Sequence, residues 1–118
     1  MKPKYHFFKN FKYAREGFLE VLKKETSFKI EVILAVFLTF VAIFLPYPLY
    51  AKLILIGVLL IPLMVELLNS AIERVVDMVT QEYHELAKYA KDAAAAAVML
   101  SLTFCAVVWM AVIIYFWQ

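Results

Sequence analysis

The stretch VELLNSAIERVVD, residues 65–77, decides the interpretation of this chain, because it places several polar side chains at the end of a very apolar segment. At about 100° per residue on a helix, those polar side chains fall within roughly 100° of arc, and aliphatic side chains fill the remainder. The polar positions are Glu66, Asn69, Ser70, Glu73, Asp77 and, just beyond the quoted stretch, Thr80. Ionisable side chains at membrane depth are unfavourable and usually serve a function. A polar seam that only joins helices is the alternative, but Asn or Ser would do this with less desolvation.

The composition indicates a membrane protein. The 118 residues are 65% hydrophobic and 19% charged, whereas soluble domains are about 45–50% apolar. The net charge of +2 is too small to indicate nucleic-acid binding. The single cysteine, Cys105, excludes an intramolecular disulfide.

Three apolar stretches, residues 32–45, 53–65 and 93–117, predict three membrane-spanning helices. Before them, apolar residues recur at helical spacing with charged residues opposite, which predicts an amphipathic helix on the membrane surface. The predicted fold is therefore an all-α membrane protein with one domain, residues 1–118. Its predicted elements are a surface helix over 5–24 and transmembrane helices over 28–46, 50–80 and 91–117.

The distribution of basic residues predicts the orientation. Eight of the twelve Lys and Arg residues lie in residues 1–29, and Lys88 and Lys91 lie in the connection before the third span. Since positive charge stays inside, the N-terminus and that connection are expected to face the cytoplasm. Trp109 and Trp117 are then expected in an aromatic belt at the outer surface.

The acidic seam also favours a metal–phosphate site. Glu66 and Glu73 are seven residues apart, hence about 10 Å along a helix, which is too far to share one Mg²⁺. A metal site therefore needs a carboxylate from another segment, and Glu25 is the candidate. Mg²⁺ held by one or two carboxylates usually takes substrate phosphates as further ligands. With only two glycines in the chain, a glycine-rich phosphate loop is excluded.

Three motifs together resemble the small prokaryotic integral-membrane diacylglycerol kinase family. They are VELLNSAIERVVD at 65–77, EYHELAKYAKDAAAAAV at 82–98 and KETSFKIE at 24–31. The resemblance covers nearly the whole chain. It implies a homotrimer with shared sites in the bacterial inner membrane. It further implies an ATP-dependent kinase that converts 1,2-diacylglycerol to phosphatidic acid.

The resemblance also implies roles for individual residues. Glu66 matches the general base that deprotonates the lipid hydroxyl, and Asn69 lies between this base and the metal. Glu25 and Glu73 match the ligands of Mg²⁺. The implied nucleotide contacts are Tyr13, Glu25, Glu73, Glu82, Tyr83, His84, Lys91 and Asp92. The implied lipid contacts are Glu31, Glu66 and Ala95.

Two further readings stay open at this point. One is the same chemistry on undecaprenol: EYHELAKYAKD favours diacylglycerol, whereas AKDAAAAAV is closer to the undecaprenol kinases. The other is a small ion-coupled transporter subunit, which would also carry membrane-depth carboxylates. A contact between His6 and ATP is also open, because the family tends to have Arg at that position.

Overall fold

The computed structural model describes residues 6–117 and is all-helical over that range. Its four helices are α1 (Phe7–Lys24), α2 (Thr26–Phe44), α3 (Leu49–Val79) and α4 (Glu85–Tyr115). Helices α2, α3 and α4 are each long and apolar enough to cross a membrane. The predicted all-α class and the three candidate spans are thereby confirmed.

The last helix begins earlier than hydropathy indicates, at Glu85 instead of residue 91. His84 has an extended backbone, and its Nδ1 atom accepts a hydrogen bond from the backbone N–H of Leu86 at 3.1 Å. This side chain satisfies one of the N–H groups that a helix start leaves without a partner. The helix therefore includes residues 85–90, which precede the predicted span over 91–117.

Helix α3 is the centre of the molecule, since it contacts each of the other three helices. Its buried side chains recur every three or four residues and form one stripe, which consists of Ala51, Leu55, Leu59, Pro62, Glu66 and Ser70. The stripe is apolar at its start and polar at its end. Pro62 lies inside the helix without interrupting it.

Two further contacts hold the apolar end of the bundle together. The indole N–H of Trp109 on α4 donates a hydrogen bond to the carbonyl of Leu55 on α3 at 3.0 Å. Trp109 was expected in an aromatic belt, but its N–H bonds to a neighbouring helix, which satisfies this donor within the protein. Beyond it, the rings of Tyr47 and Phe116 stack with their centroids 4.8 Å apart.

Helix α1 joins the bundle near its C-terminal end. Val21 is its buried residue, and the ring of Phe18 meets that of the fully buried Phe28 at 5.2 Å in an edge-to-face arrangement. Glu25 interrupts the helix with φ −117° and ψ 116°, so the chain turns there from α1 into α2. This junction places the end of α1 beside the polar half of α3.

Candidate active site

The polar half of α3 buries the carboxylate of Glu66. Only 5% of this residue is exposed, in a chain where most charged residues are accessible. The side-chain amide of Asn69 donates to Glu66 Oε1 at 3.4 Å and to Glu73 Oε1 at 3.2 Å. These i, i+3 and i, i+4 positions are neighbours on a helix surface. Asn69 therefore links the two carboxylates and orients both.

Glu25 adds a third carboxylate from outside α3. Its Oε1 atom accepts a hydrogen bond from the Ser70 hydroxyl at 2.8 Å, and its Oε2 atom accepts one from the Arg74 guanidinium at 3.0 Å. The Glu25 carboxylate also interacts electrostatically with Glu73 of the same chain. The structure thus brings together the predicted base, the predicted polar residue and both predicted metal ligands.

Glu31 lies on α2 beside Glu66, and the two carboxyl groups interact. Its Oε1 atom is buried and has no hydrogen-bond partner among residues 6–117. Glu31 also lines a cavity of ≈ 120 Å³ whose other walls are apolar and include Pro62 and Leu102. A polar atom is thus available at the edge of an apolar space, and Pro62, which precedes Glu66 by one turn of α3, lines the same space.

A hollow of ≈ 360 Å³ lies where α3 turns into α4. Five predicted nucleotide contacts line it, namely Glu82, Tyr83, His84, Lys91 and Asp92. Its shape depends on the tight turn after α3, in which the Thr80 hydroxyl accepts from the backbone N–H of Glu82 at 3.2 Å. The hollow and the carboxylate cluster are adjacent, because Lys91 pairs with Asp77, which follows Glu73 by one turn of α3.

The lysines of the hollow are held by acidic partners. Lys91 Nζ lies 2.7 Å from Asp77 Oδ1, and Lys88 Nζ lies 2.6 Å from Asp92 Oδ2. Asp77, a member of the polar seam, is thus a salt-bridge partner of α4. These pairs fix the lysines at the rim of the hollow, where cations suit a phosphate group.

Other candidate site residues lie away from the carboxylate cluster and from the hollow within one chain. Tyr13 and His6 are exposed on or before α1, and Ala95 is exposed on α4. None of the three lines the hollow beside α3. Their predicted contacts with ATP and lipid therefore stay predictions.

Sequence reasoning assigned no role to Arg74 and Glu20. The guanidinium of Arg74 is hydrogen-bonded to Glu20 on α1 as well as to Glu25. The available signal was position, since Arg74 follows Ser70 by one helical turn and so borders the polar seam. Its partners lie on another helix, which periodicity within α3 does not reveal.

The donor set suits a hard cation that takes other ligands from a substrate. Among the described residues, no three His, Cys, Asp or Glu side chains group closely enough to hold a metal ion by themselves. Glu25 and Glu73 offer carboxylate oxygens, which are the ligands that Mg²⁺ prefers. Mg²⁺ usually binds one or two carboxylates and completes its octahedron with water and phosphate. The two residues therefore fit Mg²⁺ that arrives with a nucleotide.

Comparison with known proteins supports the same family as the three sequence motifs. A relative from Pseudomonas aeruginosa, named diacylglycerol kinase, is 41% identical over 102 residues, which cover 86% of this chain and 83% of the relative. Relatives with the same name from Haemophilus influenzae and Escherichia coli are 36% and 33% identical, over 88% and 82% of this chain and 88% and 80% of their own lengths. The pattern of the family described as prokaryotic diacylglycerol kinase matches residues 12–113. The chain belongs to the prokaryotic diacylglycerol kinase family.

Proposed function

We propose that this protein is an ATP-dependent lipid kinase that phosphorylates 1,2-diacylglycerol to phosphatidic acid. Family membership supports a kinase with a nucleotide co-substrate. The observation that carries the proposal is the buried carboxylate of Glu66, which Asn69 links to Glu73. A buried, oriented carboxylate beside an apolar cavity suits a base that acts on the hydroxyl of a lipid.

In the proposed reaction, the diacylglycerol hydroxyl oxygen attacks the γ-phosphorus of ATP, and the bond from this phosphorus to the β,γ-bridging oxygen breaks. Glu66 accepts the hydroxyl proton, and ADP leaves. Asn69 keeps the Glu66 carboxylate in place through its hydrogen bond. Phosphoryl transfer depends mainly on positioning and charge stabilisation, which matches a site built from fixed side chains.

Glu25 and Glu73 are the proposed ligands of Mg²⁺. When bound, Mg²⁺ would neutralise negative charge on the nucleotide phosphates. The hollow between α3 and α4 is the proposed nucleotide site, with Lys91 directed at phosphate. Asp92, Glu82, Tyr83 and His84 are its other proposed contacts, because they line the same hollow.

The lipid is proposed to reach Glu66 from within the bilayer. The Glu31 oxygen, which has no hydrogen-bond partner within residues 6–117, and the apolar cavity beside it support a place for a headgroup that carries long chains. Ala95 is a second proposed lipid contact. Helix α1 is proposed to lie on the cytoplasmic surface as an amphipathic helix, which its exposed Phe7 and Phe11 support.

We propose a homotrimer in the bacterial inner membrane, with the N-terminus in the cytoplasm. The excess of basic residues in 1–29 supports this orientation. A trimer would bring Tyr13 near a nucleotide held by a neighbouring subunit. In the structure, Glu25 is held by Ser70 and Arg74 of its own chain, so this ligand does not need a second subunit to approach α3.

Undecaprenol is the less favoured substrate. The relatives compared above are named diacylglycerol kinases, and none of these names refers to a polyprenol. Both lipids present a primary hydroxyl on an apolar body, so the proposed chemistry would be the same. An ion-coupled transporter subunit receives no support from these comparisons.

Transfer of radiolabel separates these alternatives. The purified full chain in mixed micelles is supplied with Mg²⁺ and γ-labelled ATP, together with 1,2-dioleoylglycerol or with undecaprenol. We expect label in phosphatidic acid. Label in undecaprenyl phosphate alone would overturn the substrate, and label in neither lipid would overturn the kinase.

A further inference from the structure

The junction between α1 and α2 is tied to α3 by a single guanidinium that lies between two carboxylates. Arg74 donates one hydrogen bond to Glu20, on the last turns of α1, and one from Nη2 to Glu25 Oε2 at 3.0 Å. The planar fork of Arg can satisfy two acceptors at a fixed separation, which the point charge of Lys cannot do equally well. Arg74 therefore fixes the separation of Glu20 and Glu25 and, together with Ser70, holds Glu25 against α3.

The carboxylate of Glu25 is bound by α3 and not by α2, the helix that it precedes. Glu25 stands directly before α2, yet its side chain makes no capping hydrogen bond to that helix. Both of its oxygens are used by α3 instead, one by Ser70 and the other by Arg74. Ser70 and Arg74 are one turn apart on α3. The two donors thus hold this carboxylate at both atoms and fix its direction.

The charges make this arrangement compatible with cation binding. A lone arginine beside Glu25 would weaken the attraction of Glu25 for a metal, because like charges repel. Here Glu20 offsets the charge of Arg74, so the group of Glu20, Arg74 and Glu25 keeps one net negative charge. Lys24 also pairs with Glu20, at 3.7 Å, but its side chain is exposed, so solvent and salt screen its charge. Arg74 can therefore orient Glu25 without removing its charge.

We propose that Arg74 is a positioning residue that, together with its counter-ion Glu20, pre-orients Glu25 for the Mg²⁺ that accompanies the nucleotide. This inference rests on the proposed function, in which Glu25 is a ligand of Mg²⁺. Arg74 touches neither substrate nor metal in this role. It restricts the Glu25 side chain before the cation binds, so that less conformational entropy is lost on binding.

The test compares two affinities of the full-length protein in detergent by calorimetric titration. One titration uses a non-hydrolysable ATP analogue with Mg²⁺, and the other uses the same analogue with EDTA. The ratio of the two dissociation constants isolates the part of binding that depends on the metal. Because Arg74 is partly exposed, we expect Arg74→Gln to weaken the Mg²⁺-dependent binding by about fivefold. Binding of the analogue in EDTA should not change. If Arg74 had only a structural role, its loss would instead weaken binding in both titrations alike.

Three more variants sharpen the result. Arg74→Lys should lie between wild type and Arg74→Gln, because it keeps the charge but not the fork, and it replaces Arg74→Gln if that variant fails to fold. Glu20→Gln should weaken Mg²⁺-dependent binding as well, since the charge of Arg74 is then uncompensated. Glu16→Gln is the matched control, because Glu16 is an exposed acid of α1 paired with Lys12; its ratio should equal that of wild type.

Two results would overturn the inference. An unchanged ratio in Arg74→Gln would show that Arg74 does not position the metal ligand. A stronger Mg²⁺-dependent binding would show that Arg74 competes with the cation for Glu25. In either case, transfer of label to diacylglycerol by the wild-type protein would leave the proposed function intact, and its absence would refute that function separately.

Discussion

The buried stripe of α3 has an apolar half and a polar half, and they are joined to the rest of the molecule in different ways. Around Leu55 and Leu59 the contacts are aliphatic and aromatic, apart from the hydrogen bond from Trp109. Around Glu66 and Ser70 the contacts are directional hydrogen bonds that reach the junction of α1 and α2. Apolar packing tolerates many side chains of similar volume, whereas an oriented carboxylate depends on each of its partners. Substitutions in the first half should therefore affect stability, and those in the second should affect catalysis.

The largest expected effect is that of Glu66→Gln. Loss of the base should reduce turnover by about 10²- to 10⁴-fold, because general base catalysis contributes about this factor. Binding of Mg²⁺ and nucleotide should change little, since the amide keeps the size and polarity of the side chain. Label transfer measures the first quantity, and calorimetric titration measures the second. Near-wild-type turnover would mean that Glu66 is not the base.

A smaller effect, on a different quantity, is expected for Glu73→Gln. Loss of a metal ligand should weaken binding of Mg²⁺ and nucleotide by at least about tenfold. The dependence of the rate on Mg²⁺ concentration should shift upward, and saturating Mg²⁺ should restore much of the turnover. An unchanged Mg²⁺ dependence would remove Glu73 from the metal site. Glu16→Gln serves as the control in both experiments.

At the apolar end of the bundle, next to the apolar half of the α3 stripe, Phe116→Leu should lower stability and leave catalysis unchanged. The substitution removes the stacked pair with Tyr47, and such pairs contribute about 0.5–1.5 kcal/mol beyond their buried area. Phe44→Leu is the matched control, since Phe44 is 82% exposed at the end of α2. Thermal unfolding in detergent should separate the two variants, whereas their KM values for ATP should agree with wild type. A raised KM for Phe116→Leu would contradict the division between the halves.

The smallest effect concerns the pH dependence of stability. The hydrogen bond from Arg74 lowers the pKa of the Glu20 carboxyl below its usual value of 4.5. Because the folded protein favours the charged form, this ion pair contributes stability above that pH, and the contribution is lost as pH falls through the lowered pKa. The difference in melting temperature between wild type and Glu20→Gln should therefore shrink below about pH 4.5. A difference independent of pH would show that the charge of Glu20 does not stabilise the fold.

Helical periodicity was sufficient to predict the polar seam of α3, because all its members lie on one helix and their relative angles follow from residue spacing. The apolar stretches, and not periodicity, placed the three candidate spans, since each span needs about 20 apolar residues. The predicted third span begins at residue 91, whereas the helix that contains it begins at Glu85, after the cap residue His84. Hydropathy averaged along the sequence indicates where the chain enters the membrane. A helix, however, begins where its first N–H groups find acceptors.

Contacts between helices were harder to predict from the sequence. The resemblance implied that Glu25 is a metal ligand, but nothing in the spacing of residues indicated that Ser70 and Arg74 would hold its two oxygens. Glu20 and Arg74 are 54 positions apart in sequence, and no local pattern links such residues. Asp77 and Lys91 meet because the turn after Thr80 reverses the chain, so their pairing depends on the packing of α4 against α3.

The sequence by itself determined that this protein is helical, that it belongs in a membrane and that one helix carries acids on a single side. These properties depend on composition and on the geometry of one helix, which the chain specifies locally. Only the tertiary structure decided which acid is buried, with Glu66 enclosed and Asp77 open to its partner Lys91. It also decided how Glu25 is held, because burial and ion pairing depend on the neighbours that packing brings to each side chain.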